Sequence, residues 1–411
     1  LAQLVGAIET MSTELWRLKR DLSQMLNTRV YTLDDYDSWA RGYQKALSIN
    51  CRRLGHEHAD AGPLVSVLCP VYRPNPEDFK SAVESVMRQT YCRWELILVD
   101  DASGSYELTE LVDQIAKTDR RIKSISRSDN GGISAATNAA IAAAQGEYLA
   151  FLDHDDMLAD VALEVMVRQA QATGAKLLYS DEDKIDEYGR FSDPHFKSDW
   201  NYRLLLCQNY VCHLLMVERD ALQKAGPLDR KYDGAQDHDL VLRLTEVLAA
   251  TEIQHVPEVL YHWRKTPGST AATSHAKPYA AQAGRSAISD HLRRRSCGAK
   301  VSAVHSGNVY RVDWTFKGEP TICIIIPFRE QTQITRECLR HVRKNTAYKN
   351  LEILLVDNWS TSAESLEFCV EAGGLPRIRF LRINEPFNFS RLNNLAFRET
   401  NAEFLLFLNL S

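Results

Sequence analysis

From Leu64 onward the apolar positions follow two alternating rhythms, one of strands and one of helices. Leu64-Val65-Ser66-Val67-Leu68-Cys69 is a short β-rich run ended by Pro70. Asn75 can then cap a helix and Pro76 suits its first turn, while Phe79, Ala82, Val83, Val86 and Met87 fall on one helical face. Glu95-Leu96-Ile97-Leu98-Val99 is nearly continuous in apolar character, as a strand buried on both faces should be, and runs into Asp100-Asp101. An alanine-rich helix from about Ser134 to Gln145 stops at Gly146 and leads to Tyr148-Leu149-Ala150-Phe151-Leu152. Alternating strand and helix predicts a doubly wound, mainly parallel α/β sheet, whose ligands sit beyond the carboxyl ends of the strands. Ahead of it, Leu15, Leu18, Leu22, Met25 and Leu26, then Tyr36, Trp39 and Tyr43, recur at helical steps. The heptads are not sustained, so these read as N-terminal helices packing on the next domain rather than a coiled coil.

The same layout begins again near Pro320. Pro70 matches Pro327 and Asp100 matches Asp357 at an offset of 257, while Asn138 matches Asn394 and Leu152 matches Leu408 at 256. A repeat of domain length is duplication of a whole module, not a solenoid. The second copy has Asp357-Asn358 for Asp100-Asp101, and Asn409 where the first has Asp153, so it is expected to lack the acids of the first.

At 411 residues the chain has room for two domains plus linking helices, and 45% hydrophobic with 25% charged residues is ordinary globular composition. Lys+Arg 49 against Asp+Glu 54 leaves a net charge of -5, with Arg293-Arg294-Arg295 the one basic cluster. That balance argues against a nucleic-acid partner, and the cluster reads as a solvated helix face or a contact for anionic headgroups. The nine cysteines are scattered without CxxC spacing and read as buried thiols of a reducing compartment. No apolar run approaches the ~20 residues of a membrane span, which predicts a cytoplasmic protein. The start at Leu1 and the stop at Ser411, just after a strand-like run, suggest a piece of a longer chain.

Candidate chemistry gathers at the predicted strand ends. Asp153-His154-Asp155-Asp156 follows a buried strand, and clustered carboxylates there suit Mg²⁺ or Mn²⁺ carrying a diphosphate, the alternative being a solvated turn with Asp156 as the cap of a following helix. Asp100-Asp101 could accept hydrogen bonds from a nucleobase or ribose, or simply form a turn. Pro70-Val71-Tyr72 could wall the nucleotide, and Asn130-Gly131-Gly132 reads as a tight turn. There is neither a GxGxxG nor a Walker sequence. In Gln236-Asp237-His238-Asp239 one aspartate is either an N-cap or a general base. Tyr261-His262-Trp263-Arg264 offers a metal ligand, a stacking surface and a phosphate clamp.

Together, Val65-Ser66-Val67-Leu68-Cys69-Pro70-Val71-Tyr72, Val99-Asp100-Asp101-Ala102-Ser103, Phe151-Leu152-Asp153-His154-Asp155-Asp156 and Gln236-Asp237-His238-Asp239-Leu240 resemble glycosyltransferase family 2 on a GT-A fold. The likeness runs from Leu64 to Thr273 and resumes in part from Pro320. Tyr179-Ser180-Asp181-Glu182-Asp183-Lys184, and Tyr261 to Arg264 with Gly268-Ser269-Thr270, look like the multidomain bacterial enzymes that build O-antigen or capsular polysaccharide.

The resemblance implies an inverting transfer from a UDP-, dTDP- or GDP-sugar to a glycan or lipid-linked glycan. Asp237 would be the base. Pro70, Tyr72, Asp101, Asn138, Asp153 and Arg264 would line the nucleotide sugar, Asp155 and His262 would hold Mn²⁺ or Mg²⁺, and Asp181, Asp183 and Trp263 would lie on the acceptor side. The expected domains are a helical segment 1–60, a GT-A domain 61–275, a linking segment 276–318 and an incomplete second GT-A-like domain 319–411. Attachment to the cytoplasmic face of the inner membrane, or to other polysaccharide-assembly proteins, is compatible with this reading. Gln236 stands where the family often has Glu, and the QxxRW segment of processive synthases is absent. The alternative is a scaffold that binds nucleotide sugar or glycan without turnover. A sugar nucleotidyltransferase is disfavoured, because no Gly-rich phosphate loop follows the first strand.

Overall fold

Strand β1 (Val65–Val71) buries Val65, Val67, Cys69 and Val71 on one side and Leu68 on the other, and this two-sided burial sets the architecture. The computed structural model describes residues 35–53, 62–265, 278–304, 308–315 and 317–410. The Leu15 to Leu26 stripe and Gly268-Ser269-Thr270 lie outside them. The chain divides into two compact units, Leu1–Trp314 and Thr315–Ser411.

In the first unit, β1 pairs in parallel with β2 (Trp94–Asp100) and β4 (Tyr148–Phe151), and β2 pairs with β3 (Ile122–Ser126). The sheet continues through β8 (Leu215–Glu218), β6 (Leu177–Ile185), β9 (Ile253–Arg264) and β5 (Met157–Leu158), with β7 (Phe191–His195) added beside β6. β8 runs antiparallel to both β4 and β6, whereas β9 is parallel to β6.

One apolar layer collects α2 (Pro76–Met87), α3 (Tyr106–Thr118) and α5 (Ala162–Thr173). The other collects α4 (Ile133–Ala143), α8 (Gln236–Val247) and α9 (Pro278–Arg294). α2 starts where the sequence suggests, with Asn75 Oδ1 accepting from Glu77 N at 2.9 Å and Pro76 in the first turn. Between α4 and β4 the chain passes so close to β1 that a Cβ on Gly146 would lie 2.6 Å from Ser66 N.

Helix α1 (Tyr36–Arg53) lies against this unit: Tyr36 Oη donates to Asp183 Oδ2 at 2.9 Å and Gln44 Nε2 to the Val259 carbonyl at 2.7 Å. Ala287, Ile288 and Leu292 of α9 share the apolar layer of α8 with Val301 of β10 (Ala299–Ala303) and Tyr310 of β11 (Tyr310–Trp314). Two short helices, α6 (Tyr202–Leu205) and α7 (Arg219–Ala225), flank the loop before β8 and the turn after it.

The second unit is a four-stranded parallel sheet in the order β14 (Ile378–Arg382), β13 (Leu351–Asp357), β12 (Ile322–Phe328), β15 (Phe404–Phe407). Ile322 pairs with Leu351 as Val65 pairs with Trp94, and Ile322 with Phe404 as Val65 with Tyr148. The duplication therefore extends to strand register. Its helices are α10 (Thr332–Asn345), α11 (Ala363–Gly373) and α12 (Phe389–Arg398). No helix among the described residues is long and apolar enough to cross a membrane.

Candidate active site

The adjacent strands β2, β1 and β4 end at the same edge of the first unit, and the predicted site residues divide between this edge and β9. At the end of β2, Asp100 Oδ1 accepts from Ser103 N and Oγ at 3.2 and 2.5 Å. Asp101 is 2% exposed. Its Oδ1 accepts from Gly131 N at 3.0 Å, its Oδ2 from Gly132 N at 2.8 Å, and Arg127 Nε lies 2.8 Å from Oδ1. Both oxygens thus hold the loop ahead of α4. Tyr72 is exposed at the end of β1, with the Arg73 guanidinium 5.2 Å from its ring centre. The Pro70 carbonyl lies 3.2 Å from His154 Nδ1.

The loop after β4 carries the acids. Asp156 is buried, its Oδ2 accepting from Tyr261 Oη at 2.6 Å and its Oδ1 from Arg264 N at 2.8 Å. Burial first, then the Asp155 and Asp153 charges, lift its carboxyl well above the usual range. Arg264 Nε donates to the Asp155 carbonyl at 2.7 Å and pairs with Asp78 Oδ1 at 3.2 Å. β9 therefore fixes the acid loop through one tyrosine, one amide and one guanidinium. Asp155 is half-buried, and among the described residues its carboxylate takes no hydrogen bond or ion pair. The Asp153 side chain is 43% exposed. Desolvation raises its carboxyl, Asp155 and Asp237 act in the same direction, and His213 and His154 oppose them.

His213, not singled out from the sequence, reaches this loop from the segment before β8. Its Nε2 is 4.0 Å from Asp153 Oδ2, and its ring stacks on Tyr261 at 4.6 Å between centres. Asp153, Asp156 and His213 bring ligand-type atoms within 4.8 Å of one another, the one such group of three among the described residues. Glu182 of β6 holds the imidazole from behind, its Oε2 3.3 Å from Nδ1 and accepting from His213 N at 3.0 Å. Burial alone would depress the imidazole. The hydrogen bond and charge of Glu182, with Asp153 and Asp156, outweigh it and push the pKa up to about 9.

Lys197, its side chain fully buried, lies 3.3 Å from Glu182 Oε2 and donates to the carbonyls of Val211, at 2.7 Å, and His213. Burial pushes the Glu182 carboxyl up, but Lys197, His195 and His213 overcome it and hold the group well below its ordinary range. The same segment carries Asn209, whose Nδ2 donates to Asp237 Oδ2 at 2.6 Å. Asp237 lies in the first turn of α8 without acting as its cap: Ala235 is the N-cap and makes no side-chain bond. Residues 209–213 thus join Asp237 to Asp153.

The structure does not bring His262, expected beside Asp155 at a metal, to the acid loop, and Asn138, Asp181 and Asp183, expected on the donor and acceptor sides, are engaged by other partners. Asn138 on α4 donates from Nδ2 to the Leu228 carbonyl at 2.8 Å and accepts from Leu228 N through Oδ1 at 2.9 Å, which ties up its amide in the fold. Asp181 Oδ1 accepts from Lys197 N at 2.8 Å and lies 2.8 Å from His255 Nε2. Asp183, fully buried, meets His262 Nδ1 at 2.6 Å as well as Tyr36. Alternation along β9 turns Tyr261 and Trp263 toward His213 and sends His262 to the other face. Trp263 does border the site, its ring 5.6 Å from that of His213.

The first unit is thus a GT-A-like α/β sheet with an acid loop at the end of its fourth strand. A family model described as glycosyl transferase family 2 matches residues 66–226 and 323–410. The chain belongs to that family. It is 40% identical over 381 residues to an uncharacterised protein, y4gI, of Sinorhizobium fredii, covering 91% of this chain and 42% of that one. It is 35% identical over 394 residues to the O-antigen biosynthesis protein RfbC of Myxococcus xanthus, covering 94% of this chain and 30% of that one. A putative colanic acid biosynthesis glycosyl transferase, WcaA of Escherichia coli, is 30% identical over 207 residues, covering 47% of this chain and 73% of that protein. The chain therefore spans less than half the length of the first two relatives.

Proposed function

We propose that the first unit transfers a sugar, with inversion, from a UDP-, dTDP- or GDP-linked donor to a hydroxyl of a growing surface polysaccharide of the O-antigen or capsule type. The observation that carries this reading is the 209–213 segment, whose Asn209 holds Asp237 and whose His213 faces Asp153. A base and a donor-side acid loop tied by five residues suit a displacement between two bound sugars. Family membership supports glycosyl transfer, and the relative named for O-antigen biosynthesis supports the acceptor class.

Asn209 pins Asp237 Oδ2 and leaves Oδ1 to take the proton of the acceptor hydroxyl. The hydroxyl oxygen forms its bond to the anomeric carbon as the bond to the diphosphate oxygen breaks, and the electron pair leaves with the nucleoside diphosphate. Pro70 and Tyr72 wall the donor, and Trp263 flanks the acceptor. A divalent cation fits the chemistry of this loop, because Asp153 and Asp155 are hard oxygen ligands at a strand end. When bound, such an ion supplies Lewis-acid stabilisation of the leaving diphosphate. Asp153 and Asp155 would hold it, and Arg264 keeps their loop in place through the Asp155 carbonyl.

The test is transfer or donor hydrolysis across UDP-, dTDP- and GDP-sugars, with the product anomer read by NMR. Asp237→Asn should lower kcat by about 10²–10⁴-fold while donor affinity is kept. Retention of anomeric configuration would refute the mechanism. Donor binding without turnover on any acceptor or water would favour a scaffold.

A further inference from the structure

We propose that His213, oriented by Glu182, is the imidazole ligand of the divalent cation alongside Asp153, in place of the His262 that the sequence pattern suggests. The inference rests on the cation reading above.

Three observations carry it. Glu182 Oε2 faces His213 Nδ1 at 3.3 Å and also accepts from His213 N at 3.0 Å, so the carboxylate takes the Nδ1 proton and fixes the ring. Nε2 is then the nitrogen directed at the acid loop, and a cation binding there takes the place of its proton, the carboxylate–imidazole arrangement by which metal-binding histidines are oriented. Second, His213 Nε2 and Asp153 Oδ2 are 4.0 Å apart. Two atoms that each ligate one ion at about 2.1 Å lie between about 3.0 and 4.2 Å apart, so a small shift of either side chain would let both hold one cation. Third, the competing imidazole is committed elsewhere: His262 is 4% exposed, pairs with Asp183 at 2.6 Å and packs on Phe191 at 4.6 Å. Asp156 completes the cluster without a free oxygen, since Tyr261 and Arg264 N each occupy one. The ring of His213 also stacks nearly parallel on Tyr261, at 14°, so the tyrosine that anchors Asp156 sets the plane of the ligand as well.

The experiment is pulsed electron paramagnetic resonance of Mn²⁺ bound with UDP, read for nitrogen hyperfine coupling, on the wild-type chain and on His213→Gln, His262→Gln and His154→Gln. The expected result is nitrogen coupling in the wild type that vanishes in His213→Gln and survives in the other two. Should His213→Gln fail to fold, survival of the coupling in both other variants still supports His213. Loss of the coupling in His262→Gln or in His154→Gln, with a folded protein, would overturn the assignment. Bound Mn²⁺ without nitrogen coupling would overturn it too, while leaving a cation on carboxylates alone. Absence of Mn²⁺ binding by a folded wild type would remove the cation reading and this inference with it.

Discussion

Truncating Asn138 to alanine separates a structural from a ligand-binding role for this residue. Its amide makes a two-point clamp on Leu228, 90 residues away, donating to the carbonyl at 2.8 Å and accepting from the amide at 2.9 Å. Leu228 lies in the stretch that leads to α8 and Asp237, and it is 6% exposed. Each lost hydrogen bond costs about 1 kcal/mol, and a backbone group left dry adds about as much again, giving roughly 2–4 kcal/mol in all. Asn138 is only partly buried, so water can reach the gap and the lower half of that range is expected. For a unit of this size about 2–4 °C of Tm accompanies each kcal/mol, so the first transition should fall by about 5–10 °C. Tryptophan fluorescence follows that unit, because Trp39, Trp94, Trp200, Trp263 and Trp314 lie in it and Trp359 in the second. Asn138→Asp is the companion variant: it keeps the acceptor for Leu228 N but sets an oxygen against the Leu228 carbonyl, so it should not rescue stability. UDP affinity, measured by calorimetry well below the melting transition, should change little in Asn138→Ala. An unchanged Tm with nucleotide binding lost would refute this reasoning and return Asn138 to the donor site.

Lys197→Met fills the same space but strands Glu182 and the carbonyls of Val211 and His213. Breaking this buried pair should destabilise the first unit by about 3–5 kcal/mol in urea unfolding, and Lys197→Met combined with Glu182→Gln should recover part of the loss. In the second unit, Ser362 Oγ, Thr361 N and Ser365 Oγ pull the Glu330 carboxyl from an ordinary 4.5 to about 2. Because the folded value is the lower one, its contribution is present above 4.5 and fades as pH falls toward 2. Glu330→Gln should therefore lower the second transition at neutral pH and flatten its pH dependence across that acid window, read by calorimetry.

What the sequence revealed and what it concealed divide along a physical line. Strands β1, β2 and β4, the cap at Asn75 and the second copy are written in local patterns, because buried parallel strands need continuous apolar runs and a helix start needs its own cap. Positions that matter through distant partners carry no such mark. His213 and Asn209 lie in Asn209-Tyr210-Val211-Cys212-His213, which has neither period, and they acquire meaning only when β8 and β6 pair. The Asp181-Glu182-Asp183 run illustrates the same limit. Its acids are conspicuous, but the one that reaches His213 is Glu182, while its neighbours meet His255 and His262. The sequence grouped Tyr261 with His262 as one cluster, but neighbours on a strand face opposite ways, so the two part company once β9 forms. Which of them faces Asp153 depended on a tertiary contact, the bond from Asp153 N to Tyr261 Oη at 3.2 Å.

The two copies also show how one scaffold carries unlike sites. Asp357 Oδ1 accepts from Ser360 N at 3.1 Å, repeating the turn that Asp100 makes with Ser103. One residue later the polarity reverses. Asp101 accepts from the Gly131 and Gly132 amides, whereas Asn358 donates from Nδ2 to the carbonyls of Ile383 and Glu385, the latter at 2.8 Å. The loops have changed to match: Pro386, Phe387 and Asn388 stand where the first copy has Asn130, Gly131 and Gly132, and a proline has no amide to offer an acid. The helix starts differ for the same reason. Asn388 caps α12 through Arg391 N at 2.9 Å, while α4 begins at Gly132, with φ of 84° and no side chain to cap it. Ser134 in its first turn is bonded instead by Asp233, 99 residues away. The first copy therefore closes its helix start with a residue from the loop that leads to Asp237, and the second closes its own locally. Strand register is the same in both, so the proposed chemistry of the first unit depends on its loops and not on the sheet they share.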